Sequence, residues 1–221
     1  MADLWVVHLG TVEYRAAYAL QERVRAARQA ERIPDTLLML EHPPVYTRGR
    51  RSEPGELPSG LGIDVVDVDR GGKVTYHGPG QLVGYPIIRT DDVVAFVRTM
   101  ERAIVGALGH AGTEARTRTD EGADYTGVWV GDEKIASIGV HVARGVTTHG
   151  FAVNVDLDLD PFGWIVPCGL PDVRMRNLGT ESVRCFRKRM AHAFAREHGM
   201  RQRLVSEARL DAALGAQPVA A

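Results

Sequence analysis

The order of helical and strand-like segments constrains the fold of this chain more than any single motif does. Residues 12–31 and 90–109 carry apolar residues every three or four positions, which is the spacing of an amphipathic helix. Two further helices are predicted at about 181–198 and 206–214. Short strand-like runs occupy 36–40, 63–69, 73–77 and 82–88, followed by the hairpin TGVWVGDEKIASIGVHV, which turns at Gly131-Asp132, and by VTTHGFAVNV. Because strands and helices do not strictly alternate, the chain predicts an α/β domain with a mixed, partly antiparallel sheet and flanking helices.

Length, charge and cysteine content narrow the class of protein. A chain of 221 residues suits one domain, with a core at about 35–200 and a C-terminal tail at about 205–221. The net charge of −1 argues against nucleic-acid binding by bulk electrostatics. No apolar run approaches the roughly 20 residues of a membrane span, and the N-terminus does not resemble a signal peptide. Cys168 and Cys185 form neither a disulfide framework nor a zinc spacing, which predicts a cytoplasmic protein.

The stretch GGKVTYHGPG, residues 71–80, combines four glycines with Lys73 and His77. A phosphate cradle, a metal loop, a tight hairpin and an acyl-binding wall are the possible interpretations. A P-loop needs its lysine after the second glycine of G-x-x-x-x-G-K-[S/T], and here the lysine comes too early. The alternating aspartates from Asp156 to Asp160 lack the glycine and the closing glutamate of a calcium loop. The segment RGRR (48–51) is similar to loops that hold adenylates, or is a solvated basic turn.

Pro167-Cys168-Gly169 is a suitable mount for a reactive thiol, because proline fixes the backbone and glycine allows a sharp turn. The N–H after the cysteine could then face an oxyanion; the alternative is a small buried side chain. A nucleophilic thiol needs a cation to lower its pKa from about 8.5. The candidate cations are His77, His141, His149, Lys73 and Lys134. Lys134 is favoured because it lies in a half-buried strand. Lysine is also rare here, at three of the 27 basic residues, and unlike arginine it can lose its proton near neutral pH. The alternative is an exposed lysine at a strand end.

Three segments taken together closely resemble the lipoyl(octanoyl) transferases: RGGKVTYHGPGQLVGYPI, KIASIGVHVARGVTTHGFAVNV and PFGWIVPCGL. The resemblance extends from about residue 35 to 185. It implies a fold like that of the catalytic domain of biotin and lipoate protein ligases. It also implies the transfer of an octanoyl group from octanoyl-acyl carrier protein to a specific lysine of a lipoyl domain, through a cysteine thioester and without ATP or metal.

Carried over position by position, the resemblance implies that Cys168 is the acyl-thioester nucleophile and that Lys134 lowers its pKa. The implied substrate-binding residues are Arg70, Gly71, Gly72, Lys73, Val74, Thr75, Tyr76, His77, Ser137, Ile138, Gly139, Gly150, Phe151 and Ala152. In this interpretation the glycines allow close approach of a fatty chain, and His77 lies at the mouth of the slot. Backbone N–H groups near Gly78 or Gly169 are candidate oxyanion donors.

Alternative functions remain at this point. An ATP-dependent lipoate or biotin ligase could use the same fold, although it would need no nucleophilic thiol. A non-catalytic acyl-binding module and an unrelated Cys–His hydrolase are the other candidates. The implied partners of the transferase are octanoyl-acyl carrier protein, the lipoyl domains of 2-oxoacid dehydrogenase complexes and the glycine cleavage H protein, with no nucleic acid or membrane and with the enzyme a monomer. Nine basic residues against two acidic ones between 174 and 203 predict a positive face for an acidic protein partner.

Overall fold

The computed structural model describes residues 1–57, 60, 62–170 and 172–215, and for Cys168 it describes the backbone alone. Within these residues the chain forms a large sheet, a small sheet and four α-helices. The strands are β1 (Asp3–Thr11), β2 (Asp35–Glu41), β3 (Val45–Arg48), β4 (Asp64–Asp67), β5 (Thr75–His77), β6 (Gln81–Ile87), β7 (Gly127–Val130), β8 (Glu133–Ala143), β9 (Val146–Asn154), β10 (Arg174–Met175) and β11 (Arg201–Val205). The helices are α1 (Tyr14–Gln29), α2 (Val93–His110), α3 (Val183–Glu197) and α4 (Glu207–Leu214).

The large sheet has the order β10-β8-β9-β6-β2-β1-β11, with β7 paired to β8. The central pairs β2–β6, β6–β9 and β8–β9 are antiparallel, whereas β1 runs parallel to β2 and β11, and β10 runs parallel to β8. The small sheet has the order β4-β3-β5. The predicted mixed sheet is therefore confirmed.

Helices cover both faces of the large sheet, as expected for a sheet with few polar side chains on either side. On one face, α2 and α3 bury Met100, Ile104 and Phe194 against Phe151 and other strand residues. On the other face, α1 and α4 pack Ala17, Val24 and Leu210 against Val83 and Ala152, among others. No helix in the described part of the chain combines the length and the apolar content that crossing a bilayer requires.

Local signals in the sequence place most of these elements correctly. The Asp92 carboxylate accepts a hydrogen bond from Ala95 N at 2.9 Å, so the predicted cap of α2 is confirmed. That helix ends at His110 rather than at Gly109. The hairpin between β7 and β8 turns at Gly131-Asp132, also as predicted. The sequence did not predict β1, β3, β10 and β11, because a strand is defined by its partners as well as by its own residues.

The predicted basic face between 174 and 203 is wrong as a single surface. Arg174 lies on β10, which pairs with β8, and Arg203 lies on β11, which pairs with β1, so several strands of the large sheet separate them. Arg201 and Arg203 are moreover paired with Asp3, at 2.6 and 3.4 Å. The positive residues near 174 and those near 203 therefore cannot contact one compact partner patch together.

Two glycines, Gly84 on β6 and Gly150 on β9, allow these strands to approach each other closely. A Cβ at Gly150 would lie 2.2 Å from the carbonyl oxygen of Gly84 and 2.4 Å from Pro86 Cδ. The sequence predicted either a bulge or a close approach at Gly150, and the close approach is confirmed.

Gly150→Ala should lower the free energy of unfolding by about 1–3 kcal/mol, because the new methyl group would meet a backbone oxygen that cannot rotate away. Gly109→Ala, in the last turn of α2, is the control, since a Cβ there meets nothing within 4 Å. It should leave the stability unchanged or raise it by up to about 1 kcal/mol. Urea unfolding followed by circular dichroism measures both, and equal midpoints would contradict the close approach.

Candidate active site

One cavity of about 390 Å³ opens between the segment 70–75, strands β8 and β9, and the N-terminal ends of α1 and α2. Its size suits a small-molecule or acyl ligand. All but one of the residues that the sequence assigned to substrate binding line it, as does Lys134. The exception is Tyr76, whose ring packs against Tyr46 and Phe162 in a separate cluster. The structure thus brings together residues far apart in the sequence, while their roles stay predictions.

The Arg70 guanidinium holds the wall of the cavity formed by residues 70–75. Its Nη1 donates hydrogen bonds to the carbonyl oxygens of Gly71 and Lys73, at 3.0 and 2.8 Å. Its Nη2 donates to the carbonyl and hydroxyl oxygens of Thr47, at 3.0 and 2.7 Å. Arg70 is buried, so these bonds are shielded from competing water. Arg70 therefore shapes the wall and joins it to β3.

The glycines of this wall serve contacts within the protein. Gly71 N donates to Val140 O at 3.0 Å, and a Cβ at Gly139 would lie 2.8 Å from Gly71 O. A Cβ at Gly49 would lie 2.4 Å from Gly72 O. Close approach of a fatty chain to these glycines stays a prediction. The contacts within the protein already favour glycine here, because two loops and β8 approach one another at backbone distance.

Lys134 is fully enclosed, with 1% of its surface exposed. Its Nζ lies 5.2 Å from the centre of the Trp129 ring, and its Cε lies 2.8 Å from the position of a Cβ on Gly127. The antiparallel pairing of β7 with β8 sets both neighbours, since Trp129 is the register partner of Lys134. The alternative of an exposed lysine at a strand end is therefore wrong. A buried amine that lines a cavity is suited to proton exchange.

Cys168 lies in the short turn Pro167–Gly169. Its side chain is outside the described part of the structure, so its role stays a prediction. The chain continues from this turn into β10, whose Met175 pairs with Lys134. The N–H of Gly169 donates to Val166 O at 3.2 Å. The N–H of Gly169 is thus bonded within the turn, and an oxyanion donor near Gly78 or Gly169 stays a prediction.

His141 and His149, two of the predicted candidate cations, are both engaged by Asp69. Nε2 of His149 is 2.7 Å from Asp69 Oδ1, and Nε2 of His141 is 3.3 Å from Oδ2. The Tyr18 hydroxyl donates to Oδ1 at 3.0 Å. The hydrogen bond from His149 holds the pKa of Asp69 well below its ordinary value. Asp69 directly precedes Arg70, so the two histidines support the wall.

His77 lies on the inner wall, and its predicted position at the mouth is wrong. Its ring is buried, with centres 5.8 Å from Tyr14 and 5.6 Å from His42. Its Nδ1 donates to Gln81 Oε1 at 2.7 Å. Burial lowers the pKa of His77 well below its ordinary value, so the ring is neutral near pH 7.

His42 and Tyr85 extend this polar group behind the cavity. The neutral His42 ring donates from Nδ1 to Val12 O at 2.7 Å and accepts the Tyr85 hydroxyl at Nε2, 2.6 Å away. Burial lowers the pKa of His42 to about 4. The cavity therefore ends on a neutral, hydrogen-bonded layer.

Sequence reasoning missed the contribution of α2 to the cavity. Val94 and Val97 belong to the predicted apolar stripe of this helix, and both line the cavity. Val94 is 64% exposed, which is unusual for a core position. Tyr14 and Arg98 also line the cavity and belong to no motif, whereas Tyr85 lies within the motif at 70–87 but was not assigned to the site. Residues 93–95 are apolar and exposed, and only the structure shows this exposure.

The sequence and the fold match a known class of enzymes. A family model described as the lipoyl protein ligase A/B catalytic domain matches residues 13–197. A crystal structure of lipoate-protein ligase A bound with ATP superposes with a TM-score of 0.81 at 20% identity, covering 96% of this chain and 92% of that one. The predicted lipoate-ligase-like fold is confirmed.

Curated relatives identify the family within this class. An octanoyltransferase from Mycobacterium avium is 50% identical over 185 residues, covering 80% of this chain and 77% of the relative. One from Acidothermus cellulolyticus is 48% identical over 178 residues, covering 79% and 80%. The chain therefore belongs to the octanoyltransferase family, which confirms the resemblance found in its sequence motifs.

The stability of the protein should fall as the pH drops from about 6.5 to about 4. In this range the unfolded chain binds a proton at His42 and the folded protein does not, because its pKa is lowered to about 4. This histidine alone contributes a slope of up to about 1.4 kcal/mol per pH unit. His42→Gln, which can keep one donor and one acceptor, should flatten the slope measured by urea unfolding at several pH values. The exposed His192→Gln is the control, and an equal slope in wild type and His42→Gln would contradict this account.

Proposed function

We propose that this protein transfers an octanoyl group from octanoyl-acyl carrier protein to a lysine of lipoyl domains, with Cys168 as the intermediate carrier of the acyl group. One observation carries the proposal. A fully buried lysine, Lys134, lines an acyl-sized cavity, and the turn that bears Cys168 lies against Lys73, which lines the same cavity.

The cavity supports binding of a medium-length acyl chain. Val74, Ile138, Phe151 and Ala152 supply apolar surface along its walls. Burying a chain contributes about 0.8 kcal/mol per methylene, which is enough for useful affinity and some length preference. The polar layer at His77 and Tyr85 offers nothing to a methyl terminus, so it favours chains that stop short of it.

In the first half-reaction the Cys168 thiolate attacks the carbonyl carbon of the octanoyl thioester. A new C–S bond forms and the bond to the carrier thiol breaks. The Lys134 ammonium stabilises the thiolate beforehand and then gives its proton to the departing carrier thiolate. This step leaves an octanoyl-Cys168 thioester and a neutral Lys134.

In the second half-reaction the neutral ε-amine of the acceptor lysine attacks the octanoyl-Cys168 carbonyl. An amide bond forms, Cys168 leaves as a thiolate, and Lys134 takes the proton released by the amine. The enzyme returns to its starting charges. Because the donor is already a thioester, the proposed reaction needs neither ATP nor a metal.

The main rival is an ATP-dependent lipoate or biotin ligase that would use the 48–51 loop for an adenylate. The contacts of this loop favour a structural role instead. Arg48 pairs with Asp67 at 2.6 Å and Arg51 with Asp124 at 3.2 Å. Arg50 N donates to the carbonyl oxygen of Arg70 at 3.1 Å, so the loop is bound to the cavity wall.

We propose that both protein partners dock on the surface beside β10. We further propose that the enzyme is a cytoplasmic monomer. Arg174 is exposed there, and Arg176 pairs with Glu133 at 3.7 Å beside Lys134. The proposed acceptors are the lipoyl domains of 2-oxoacid dehydrogenase complexes and the glycine cleavage H protein. Their target lysine must reach the same thioester as the carrier arm, so the two partners bind in turn.

Incubation with octanoyl-acyl carrier protein in the absence of ATP should add one octanoyl group to the enzyme, visible as an intact-mass shift that hydroxylamine removes. Cys168→Ser should not form this hydroxylamine-labile adduct, while Cys185→Ser on α3 is the matched control and should form it. A wild-type enzyme without the adduct, or a Cys168→Ser variant with an undiminished one, would rule out the thioester route.

Lys134→Arg should keep the positive charge and lose efficient proton exchange, because arginine does not deprotonate in this range. Thiolate formation, measured as the pH profile of iodoacetamide alkylation, should partly survive while octanoyl turnover falls by about 100-fold or more. Lys134→Met is the companion variant, in which both should be lost. Thermal unfolding must show that each variant is folded, and near-wild-type turnover of Lys134→Arg would show that charge alone matters.

A further inference from the structure

Lys73 holds together two loops that meet beside the Cys168 turn. Its Nζ lies 2.9 Å from Glu53 Oε1 and 2.9 Å from Glu56 Oε1. The side chains of Lys73 and Glu56 are 16% and 8% exposed, so this ion pair is largely shielded from water. The hydrogen bonds to Glu56 and Glu53 raise the pKa of Lys73 above its ordinary value. Two carboxylates thus neutralise the ammonium.

The same lysine lies directly against the turn that bears Cys168. A Cβ on Gly169 would be 2.4 Å from Lys73 Cδ and 2.7 Å from its Cε and Nζ. Gly169 also has φ +71, the left-handed region that favours glycine. The lysine stem therefore occupies the space that any other residue at 169 would fill.

A second link fixes the turn from its other side. Val166 N donates to Glu56 O at 3.1 Å, and Gly169 N donates to Val166 O at 3.2 Å. Glu56 consequently binds Lys73 with its carboxylate and the approach to the turn with its carbonyl oxygen. The 53–56 loop, Lys73 and the backbone from 166 to 169 form one connected unit.

We propose that Lys73 is a positioning residue, which fixes the Pro167–Gly169 turn through its ion pairs with Glu53 and Glu56 and so sets where Cys168 meets the acyl carbonyl. This inference rests on the proposed function. It also changes the role predicted for Lys73 from the motif, because its ammonium is already bound by protein and only its remaining surface lines the cavity. Lys134 supplies the charge for the thiolate, and Lys73 supplies the geometry.

Loss of these ion pairs should slow acylation without changing the pKa of the Cys168 thiol. A displacement of about 1 Å in a reacting group can cost about 100-fold in rate. Lys73→Met should therefore reduce the single-turnover rate of octanoyl transfer to Cys168 by about 10- to 100-fold. Lys73→Arg, which keeps the two ion pairs, should remain within about threefold of wild type. The apparent pKa of Cys168, from the pH profile of iodoacetamide alkylation, should be the same in all three proteins.

Exchanging the charges of Lys73 and Glu56 tests the ion pair even if the single variant disturbs the local structure. Lys73→Glu alone places three carboxylates together, and adding Glu56→Lys restores one cation between two carboxylates. The double variant should recover acylation at least tenfold relative to Lys73→Glu. The exposed Lys188→Met on α3 is the matched control for loss of a lysine and should behave as wild type.

Amide hydrogen exchange of residues 166–170 tests the inference independently of octanoyl transfer. Exchange in this segment should be at least tenfold faster in Lys73→Met and should return towards wild type in the double variant. If wild type forms no octanoyl adduct but this exchange pattern appears, the proposed function fails and the link to the turn stands. Unchanged exchange and acylation in Lys73→Met would overturn the inference, as would a shift of about one unit or more in the Cys168 pKa, which would indicate an electrostatic role.

Discussion

The buried guanidinium of Arg70 is the interaction on which the site depends most. It gathers carbonyl oxygens from its own loop and from Thr47 of the small sheet, so that a strand and a loop meet at a fixed distance. A lysine at this position would present one point charge and could not match the planar fork of donors. The wall that Arg70 holds is the surface against which Gly139 of β8 closes. The shape of the cavity therefore depends on one guanidinium, whose nitrogens Nη1 and Nη2 donate to different segments.

Burial of titratable groups is the second organising theme. His42, His77 and Lys134 are all enclosed, yet they differ in the partners available to them. Burial penalises the charged form, and for the two histidines this effect outweighs their hydrogen bonds and lowers their pKa. Asp69 instead receives hydrogen bonds from His149 and Tyr18, which favour its carboxylate form. Neutral rings thus lie behind the cavity, while charged groups support its wall.

Much of the fold could be predicted from the sequence because its signals are local. The Asp92 cap, the turn at Gly131-Asp132 and the periodicity of α1 each depend on neighbours within a few residues. Burial of Lys134 was also predictable, since small and branched residues surround it in β8. Pairing of β1 with β11 joins residues about two hundred positions apart, and no local pattern encodes it. The error over the basic face has the same origin, because β10 and β11 follow one another along the chain and are far apart in the sheet.

The site was predicted unevenly for a related reason. Motifs identified the residues that line the cavity, yet they did not show what each residue contacts. Lys73 within the motif binds Glu53 and Glu56, which belong to no motif in the sequence. The Gly169 N–H is likewise used by Val166, a contact that depends on the tight turn rather than on residue type.

The enclosure of Lys134 has a consequence for the route of proton movement in the proposed cycle. With Trp129 on one side and the Gly127 backbone on another, the amine has little contact with bulk water. The route left to this amine is the cavity that it lines. In the proposed cycle, the groups that enter this cavity from the carrier and from the acceptor are therefore the ones with which Lys134 exchanges its proton.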